Sequence, residues 1–304
     1  MAIDPVMQLV LDAVPTAGIA EVGYQRVREV IRERMAAMPP PPELPRVEDR
    51  TVAGSIPVRI YWPVADPADL PIVVFYHGGG WVIGDLDTHD ATARAIAISV
   101  GAIVVAVDYR LAPEHPFPAG VDDAFAALKW VSEHATELGA DPARLAVAGD
   151  SAGGNLAAVV SQLARDAGGP PVRFQLLWYP ATMLDHSLPS MTENADAPVL
   201  TKADTFAFLD LYLKGSDPAA RPATLAPANA ENLAGLPPAY IATAQYDPIR
   251  DEGVRYAELL RAAGVPVEHH NAETLVHGYV SFGVAVPAAQ EAVATALAAL
   301  KAAL

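Results

Sequence analysis

The chain has 304 residues, enough for one large α/β domain or two small ones, and 52% of them are hydrophobic, which supplies a sizeable core. A formal net charge of −16, with only four lysines scattered at Lys129, Lys202, Lys214 and Lys301, argues against nucleic acid, because phosphate binding needs clustered cations. The absence of cysteine excludes disulfides, thiolate zinc sites and a cysteine nucleophile together.

The first residues carry no basic region, and their apolar run is broken by Asp4, Asp12 and Pro15, so no secretory signal is expected. No stretch approaches the roughly 20 apolar residues that span a bilayer, and the acidic balance disfavours anionic membrane surfaces. A soluble, cytoplasmic protein without membrane partners is the expectation. Helical spacing of Val22, Val27, Val30 and Ile31 predicts a helix over Ile19–Ala37. It runs into the proline stretch from Met38 to Pro42, a stiff connector. Val47–Val52 and Val58–Trp62, joined across Ala53-Gly54-Ser55, read as a hairpin.

Continuous apolar runs follow at Ile72–Tyr76, Ile103–Val107, Leu145–Ala148, Phe174–Trp178 and Tyr240–Thr243, with a weaker one at Val267–Asn271. Such runs fit strands buried on both faces. Helical patterns alternate with them at Thr88–Val100, Val121–Leu138, Gly153–Asp166, Asp251–Ala263 and Ala288–Leu304. That alternation implies an α/β fold with a mainly parallel central sheet flanked by helices. Tyr179 to Pro238 breaks it, offering only a helical pattern at Thr201–Leu213. A segment this long inside a compact domain is usually functional, and it reads as a helical cap. The division expected is 1–45 as N-terminal cap and linker, 46–182 as core, 183–226 as cap insertion and 227–304 as core.

Gly149-Asp150-Ser151-Ala152-Gly153 fits G-x-S-x-G between a buried strand and a helix. A nucleophile on so sharp a turn sits in strained backbone, and side chains at the flanking positions would collide across it. The turn also aims the hydroxyl at a helix N-terminus, whose free N–H groups favour developing negative charge. Ser151 as a plain helix N-cap would leave the two glycines unexplained. Upstream, His77-Gly78-Gly79-Gly80-Trp81 follows a strand and matches the HGGG-type oxyanion loop. The N–H groups of Gly79, Gly80 and Ala152 are therefore the expected oxyanion donors.

In such folds the acid and then the histidine follow the serine in chain order, each after a strand. Among the eight histidines, His77, His89, His115 and His134 precede Ser151, His186 falls in the cap, and His269 and His270 lie within a strand-like run. His277 follows the last strand and is the expected base. Asp247, just past the end of Tyr240–Ala244, is the expected orienting carboxylate. Asp251 and Glu252 read as carboxylates that cap the next helix.

Taken together, His77–Trp81, Asp108–Ala119, Gly149–Gly154, Asp247–Gly253 and His277-Gly278 resemble the bacterial hormone-sensitive-lipase-like carboxylesterases, the HGGG/GDSAGG group of α/β-hydrolases. The resemblance covers the sheet from about Pro71 to Tyr279. It implies a Ser–His–Asp ester hydrolase acting on small-molecule esters through an acyl-enzyme, with no cofactor and no metal. It further implies that His77, with Gly78 and Asp150, supports the oxyanion loop, and that Asp108–Pro118 is structural near the site. Gln245 and Tyr279 depart from the family's commoner Glu and Phe. Amidase or lactonase chemistry would use the same triad. A non-catalytic receptor on this scaffold, as in the plant gibberellin receptors, lacks the histidine that His277 supplies here. Met183, Phe206, Phe208 and Leu209 are candidates for an apolar acyl pocket or for packing. Acyl-chain length and a homodimer stay open.

Overall fold

The computed structural model describes residues 2–13, 18–37, 40–215 and 221–304. Its frame is an eight-stranded sheet, built from β1 (Arg46–Val52), β2 (Ile56–Trp62), β3 (Leu70–Tyr76), β4 (Ile103–Val107), β5 (Ala140–Asp150), β6 (Phe174–Trp178), β7 (Ala239–Tyr246) and β8 (Val267–Val276). They lie in the order β1-β2-β4-β3-β5-β6-β7-β8. β2 runs antiparallel to both its neighbours, and every pair from β4 through β8 is parallel. The α/β expectation is met, and the hairpin forms the antiparallel edge.

The helices are α1 (Pro5–Ala13), α2 (Ile19–Ala37), α3 (Asp90–Ile96), α4 (Ala119–Leu138), α5 (Ala152–Asp166), α6 (Ser190–Glu193), α7 (Lys202–Tyr212), α8 (Arg250–Ala262) and α9 (Pro287–Ala303). Alternate residues of β3 point to opposite faces, so each face acquires its own core. Ile72, Val74 and Tyr76 join the cluster under α4, α5 and α8. Val73 and Phe75 join the one that includes Ile96 of α3 and Leu297 and Leu300 of α9. Burying strands on both faces explains their uninterrupted apolar runs.

Three local readings are corrected. The helix expected as continuous over Ile19–Ala37 breaks at Gly23, whose φ of 78° and ψ of 159° lie outside helical space. The helix expected over Thr88–Val100 starts at Asp90 and passes into a π turn at Ala97–Gly101. The third is α1, which the sequence reading did not include. Its signal was Asp4-Pro5, a capping carboxylate before a proline at the first helical position. Asp4 Oδ1 accepts from the Val6 and Met7 N–H groups at 2.9 and 3.0 Å. Of the proline connector, Met38 and Pro39 lie outside the described residues, and Pro42 O accepts from Arg94 Nη1 at 3.1 Å. Among the described residues, no strand forms between β6 and β7, and no helix is long and apolar enough to cross a membrane.

Candidate active site

The site forms at the C-terminal ends of β3, β5, β7 and β8, where loops leave a parallel sheet on one side. β5 ends in Asp150, and Ser151 takes a φ of 55° before α5 begins at Ala152. A Cβ on Gly149 would run into the carbonyl of Gly153, and one on Gly153 would run into the carbonyls of Tyr76 and His77. The bend is therefore possible only with glycine at both places. Ser151 occupies the N-cap position of α5 without a side-chain capping bond. Its Oγ instead lies 2.9 Å from His277 Nε2.

His277 follows β8 directly and is buried. Its Nδ1 is 2.7 Å from Asp247 Oδ2, and the ring of Tyr179 lies against it at 4.7 Å between centroids. Asp247 is fully buried beyond the end of β7, and its Oδ1 accepts from the Ile249 N–H at 2.9 Å. One carboxylate oxygen is thus fixed by backbone while the other faces the imidazole. Chain order placed these three residues as a set, and the fold brings them into one hydrogen-bonded line.

The glycine loop lies beside Ser151. Gly79 and Gly80 have φ of 114° and 58°, backbone that a Cβ strongly disfavours. Gly79 O accepts from the Val82 and Ile83 N–H groups at 3.0 and 2.9 Å, which closes the loop. Among the described residues none accepts from the N–H of Gly79, Gly80 or Ala152. For Ala152 this follows from its place in the first turn of a helix. Phe208 of α7 packs directly over Gly80, where a Cβ would meet its ring.

Several buried polar groups brace this loop. Gly78 N–H donates to Asp150 Oδ1 at 2.9 Å. His77 Nδ1 is 2.7 Å from Gly78 O, and Tyr109 stacks on the His77 ring at 4.4 Å while donating its hydroxyl to His77 O at 2.7 Å. Burial, reinforced by nearby His89, holds His77 down at about 4. Burial also pushes the Asp150 carboxyl up to about 6, against the opposing pull of His77 and the Gly78 N–H. At neutral pH the pair is therefore an imidazole and a carboxylate. The Asp108–Ala119 stretch anchors the loop further, since Ala112 N–H donates to Trp81 O at 2.9 Å, and it also holds the end of α7, where Phe117 N–H donates to Tyr212 O at 2.9 Å.

The carboxylates read as helix caps act elsewhere. Glu252 is 1% exposed, and its Oε2 accepts from the Thr182 and Met183 N–H groups at 2.7 and 2.9 Å. Asp251 Oδ2 accepts from Ser190 N–H at 2.9 Å, and Asn194 Nδ2 reaches the carbonyls of Gln245 and Asp247 at 3.1 Å. The acid loop and the start of the long insertion are thus stitched together. Their partners lie about sixty or seventy residues upstream, so local spacing carried no signal of them.

Of the four apolar-pocket candidates, Phe208 meets the glycine loop at Gly80. Leu209 is buried in the main core. Phe206 is 41% exposed and lies against the His186 ring at 4.0 Å. Met183 borders a separate cavity with His186 and Arg221. A cavity of about 880 Å³ between α1, α2 and the insertion reaches Val199, which sits beside Gly278.

A model of the α/β hydrolase fold family matches residues 73–281. Carboxylesterase NlhH of Mycobacterium tuberculosis is 59% identical over 312 residues, covering 99% of this chain and 96% of its own. Esterase LipI of the same organism is 57% identical over 305 residues, covering 99% and 95%. Among solved structures, the hyperthermophilic esterase from the archaeon Pyrobaculum calidifontis matches with a TM-score of 0.90 at 40% identity, over 99% of both chains.

Proposed function

The chain belongs to the hormone-sensitive-lipase-like carboxylesterases of the α/β-hydrolase fold, and from that membership we propose that it hydrolyses short-to-medium-chain acyl esters of small molecules through Ser151, His277 and Asp247. The observation that carries the reading is the line of contacts from Ser151 Oγ to His277 Nε2 at 2.9 Å and from His277 Nδ1 to Asp247 Oδ2 at 2.7 Å. Ser151 Oγ attacks the ester carbonyl as His277 Nε2 takes its proton, and Asp247 holds the Nδ1–H tautomer and offsets the charge that develops on the ring. The tetrahedral oxyanion sits on the N–H groups of Gly79, Gly80 and Ala152. Each such donor is worth about 3 kcal/mol in the transition state. Collapse expels the alcohol, which leaves with the proton from His277. His277 then deprotonates a water that attacks the acyl-enzyme, and the acid departs as Ser151 regains its proton.

His77, Gly78 and Asp150 support the oxyanion loop in this reading. α1, α2 and residues 183–226 form a cap over the site, a division supported by three links. Asp204 Oδ1 accepts from Ala20 N–H at 3.0 Å, Trp81 stacks on Tyr212 at 4.4 Å, and Phe208 covers Gly80. Phe208 then limits the space beside the acyl carbonyl. A cytoplasmic location completes the reading, and a homodimer is an assembly it admits, tested by mass in solution.

Hydrolysis of p-nitrophenyl esters of rising chain length tests the substrate class. Turnover should peak among the short and middle chains, and F208A should move the peak toward longer ones. Flat, near-background rates across the whole series, with rapid cleavage of an anilide, would instead mark an amidase.

A further inference from the structure

The proposed triad leaves one half-buried group, beside the residue that precedes the nucleophile, without a task. His89 occupies the N-cap position just before α3 and makes no side-chain capping bond there. Its ring is wedged against His77 and Phe75, at 5.2 and 6.3 Å between centroids. Its Nε2 lies 3.7 Å from Asp150 Oδ1, the oxygen that accepts from Gly78 N–H at 2.9 Å. On its other side, Nδ1 is 2.9 Å from Thr88 Oγ1. Thr88 is itself locked, since Asp85 N–H donates to its hydroxyl oxygen and its own N–H donates to Asp85 Oδ1, both at 2.8 Å, while Asp85 O lies within 2.9 Å of the same hydroxyl.

We propose that His89 is a positioning residue for the oxyanion loop, holding the Asp150 carboxylate at the same oxygen that Gly78 engages; this rests on the esterase reading above. A buried carboxylate is costly unless donors or positive ends of dipoles surround it. A neutral imidazole has a single N–H, and the carboxylate favours it on the nitrogen that faces it. Nε2 of His89 therefore carries the proton, and the Thr88 hydroxyl, which lies 2.9 Å from both Asp85 O and His89 Nδ1, turns its one hydrogen to Nδ1. At 3.7 Å this is a dipole held toward a charge rather than a full hydrogen bond. The chain Thr88–His89–Asp150–Gly78 ends one residue before Gly79 and so sets where the proposed oxyanion donors point. Burial, which holds His89 at about 4, keeps it neutral through the working range.

Two substitutions separate positioning from packing. H89F keeps a ring between His77 and Phe75 but has no donor, whereas H89Q restores an N–H at the reach of Nε2. H89F should lower kcat on p-nitrophenyl butyrate about tenfold with KM changed by less than about twofold, the signature of a lost transition-state interaction. Inactivation by diethyl p-nitrophenyl phosphate, whose phosphoryl oxygen needs the same donors, should slow in parallel, and H89Q should recover most of both rates. Wild-type rates in H89F, or equal losses in H89F and H89Q, would overturn the proposal. The ¹⁵N shifts of His89 in the unmodified protein give a test independent of variant folding. A proton on Nε2 supports the proposal, and a proton on Nδ1 contradicts it. Wild-type ester turnover reports separately on the esterase reading.

Discussion

At Gly153 the absent side chain does the structural work, because the backbone of α5 passes against the carbonyls of Tyr76 and His77 at the end of β3. G153A must push α5 away from the sheet and carry Ser151 with it. Such overpacking costs about 1–3 kcal/mol, seen as a fall in Tm, and hydrolysis of p-nitrophenyl butyrate should fall far more than the folded fraction does. Unchanged turnover in a folded G153A protein would show that the elbow tolerates displacement. Glu252 illustrates a charge effect at the same scale. Burial pushes its carboxyl up to about 7 from 4.5, so the folded state holds that proton more tightly than the unfolded chain. The stability this contributes is full below about pH 4.5 and is lost as pH rises through about 7. The Tm advantage of the wild type over E252Q should therefore shrink across that rise. His77 and His89, depressed to about 4, titrate in the opposite sense but cancel in the difference. A constant gap would contradict the burial argument. Ser151 and its glycines were legible in the sequence because a short steric rule joins them. Glu252 and His89 were not, since their partners are distant in the chain and only the fold brings them together.

α7 is held by both its own cap and a neighbour. Thr201 Oγ1 accepts from Asp204 N–H at 3.1 Å, and Asp204 Oδ2 accepts from Thr201 N–H at 3.0 Å, a reciprocal box at the helix start. Asp204 Oδ1 also accepts from Ala20 N–H, tying α7 to α2. T201A should cost about 1 kcal/mol in denaturant unfolding, and D204A more, because it severs both links. If α2 and α7 cover the site, D204A should also raise KM for the longer esters more than it lowers kcat. Equal effects on short and long esters would detach these helices from substrate binding. The helical pattern of α7 was readable from its period, whereas its seat over Gly80 was not, since nothing in residues 201–213 names the loop at residue 80. The break at Gly23 was missed for a related reason. A glycine inside a helical period reads as a modest propensity cost, and only packing decides whether the chain turns there.

For the molecule as a whole, the sheet determines where the chemistry gathers. With β3, β5, β7 and β8 parallel, the four loops bearing His77–Trp81, Ser151, Asp247 and His277 leave the same edge. Strand–helix alternation made this arrangement readable, since apolar runs too long for one buried face require a sheet covered on both sides. The strands were therefore well marked, while the insertion between β6 and β7, lacking sheet periodicity, revealed its length and little of its contacts. The central claim is that Ser151 carries the acyl group. Mixing the enzyme with p-nitrophenyl acetate on a millisecond scale, then quenching in acid and mapping peptides by mass, tests it most directly. The account predicts one acetyl group per chain on the peptide containing Ser151, and in S151A no adduct and a loss of turnover of about 10⁴-fold or more. An acetyl group on another residue, or S151A turning over like the wild type, would contradict it.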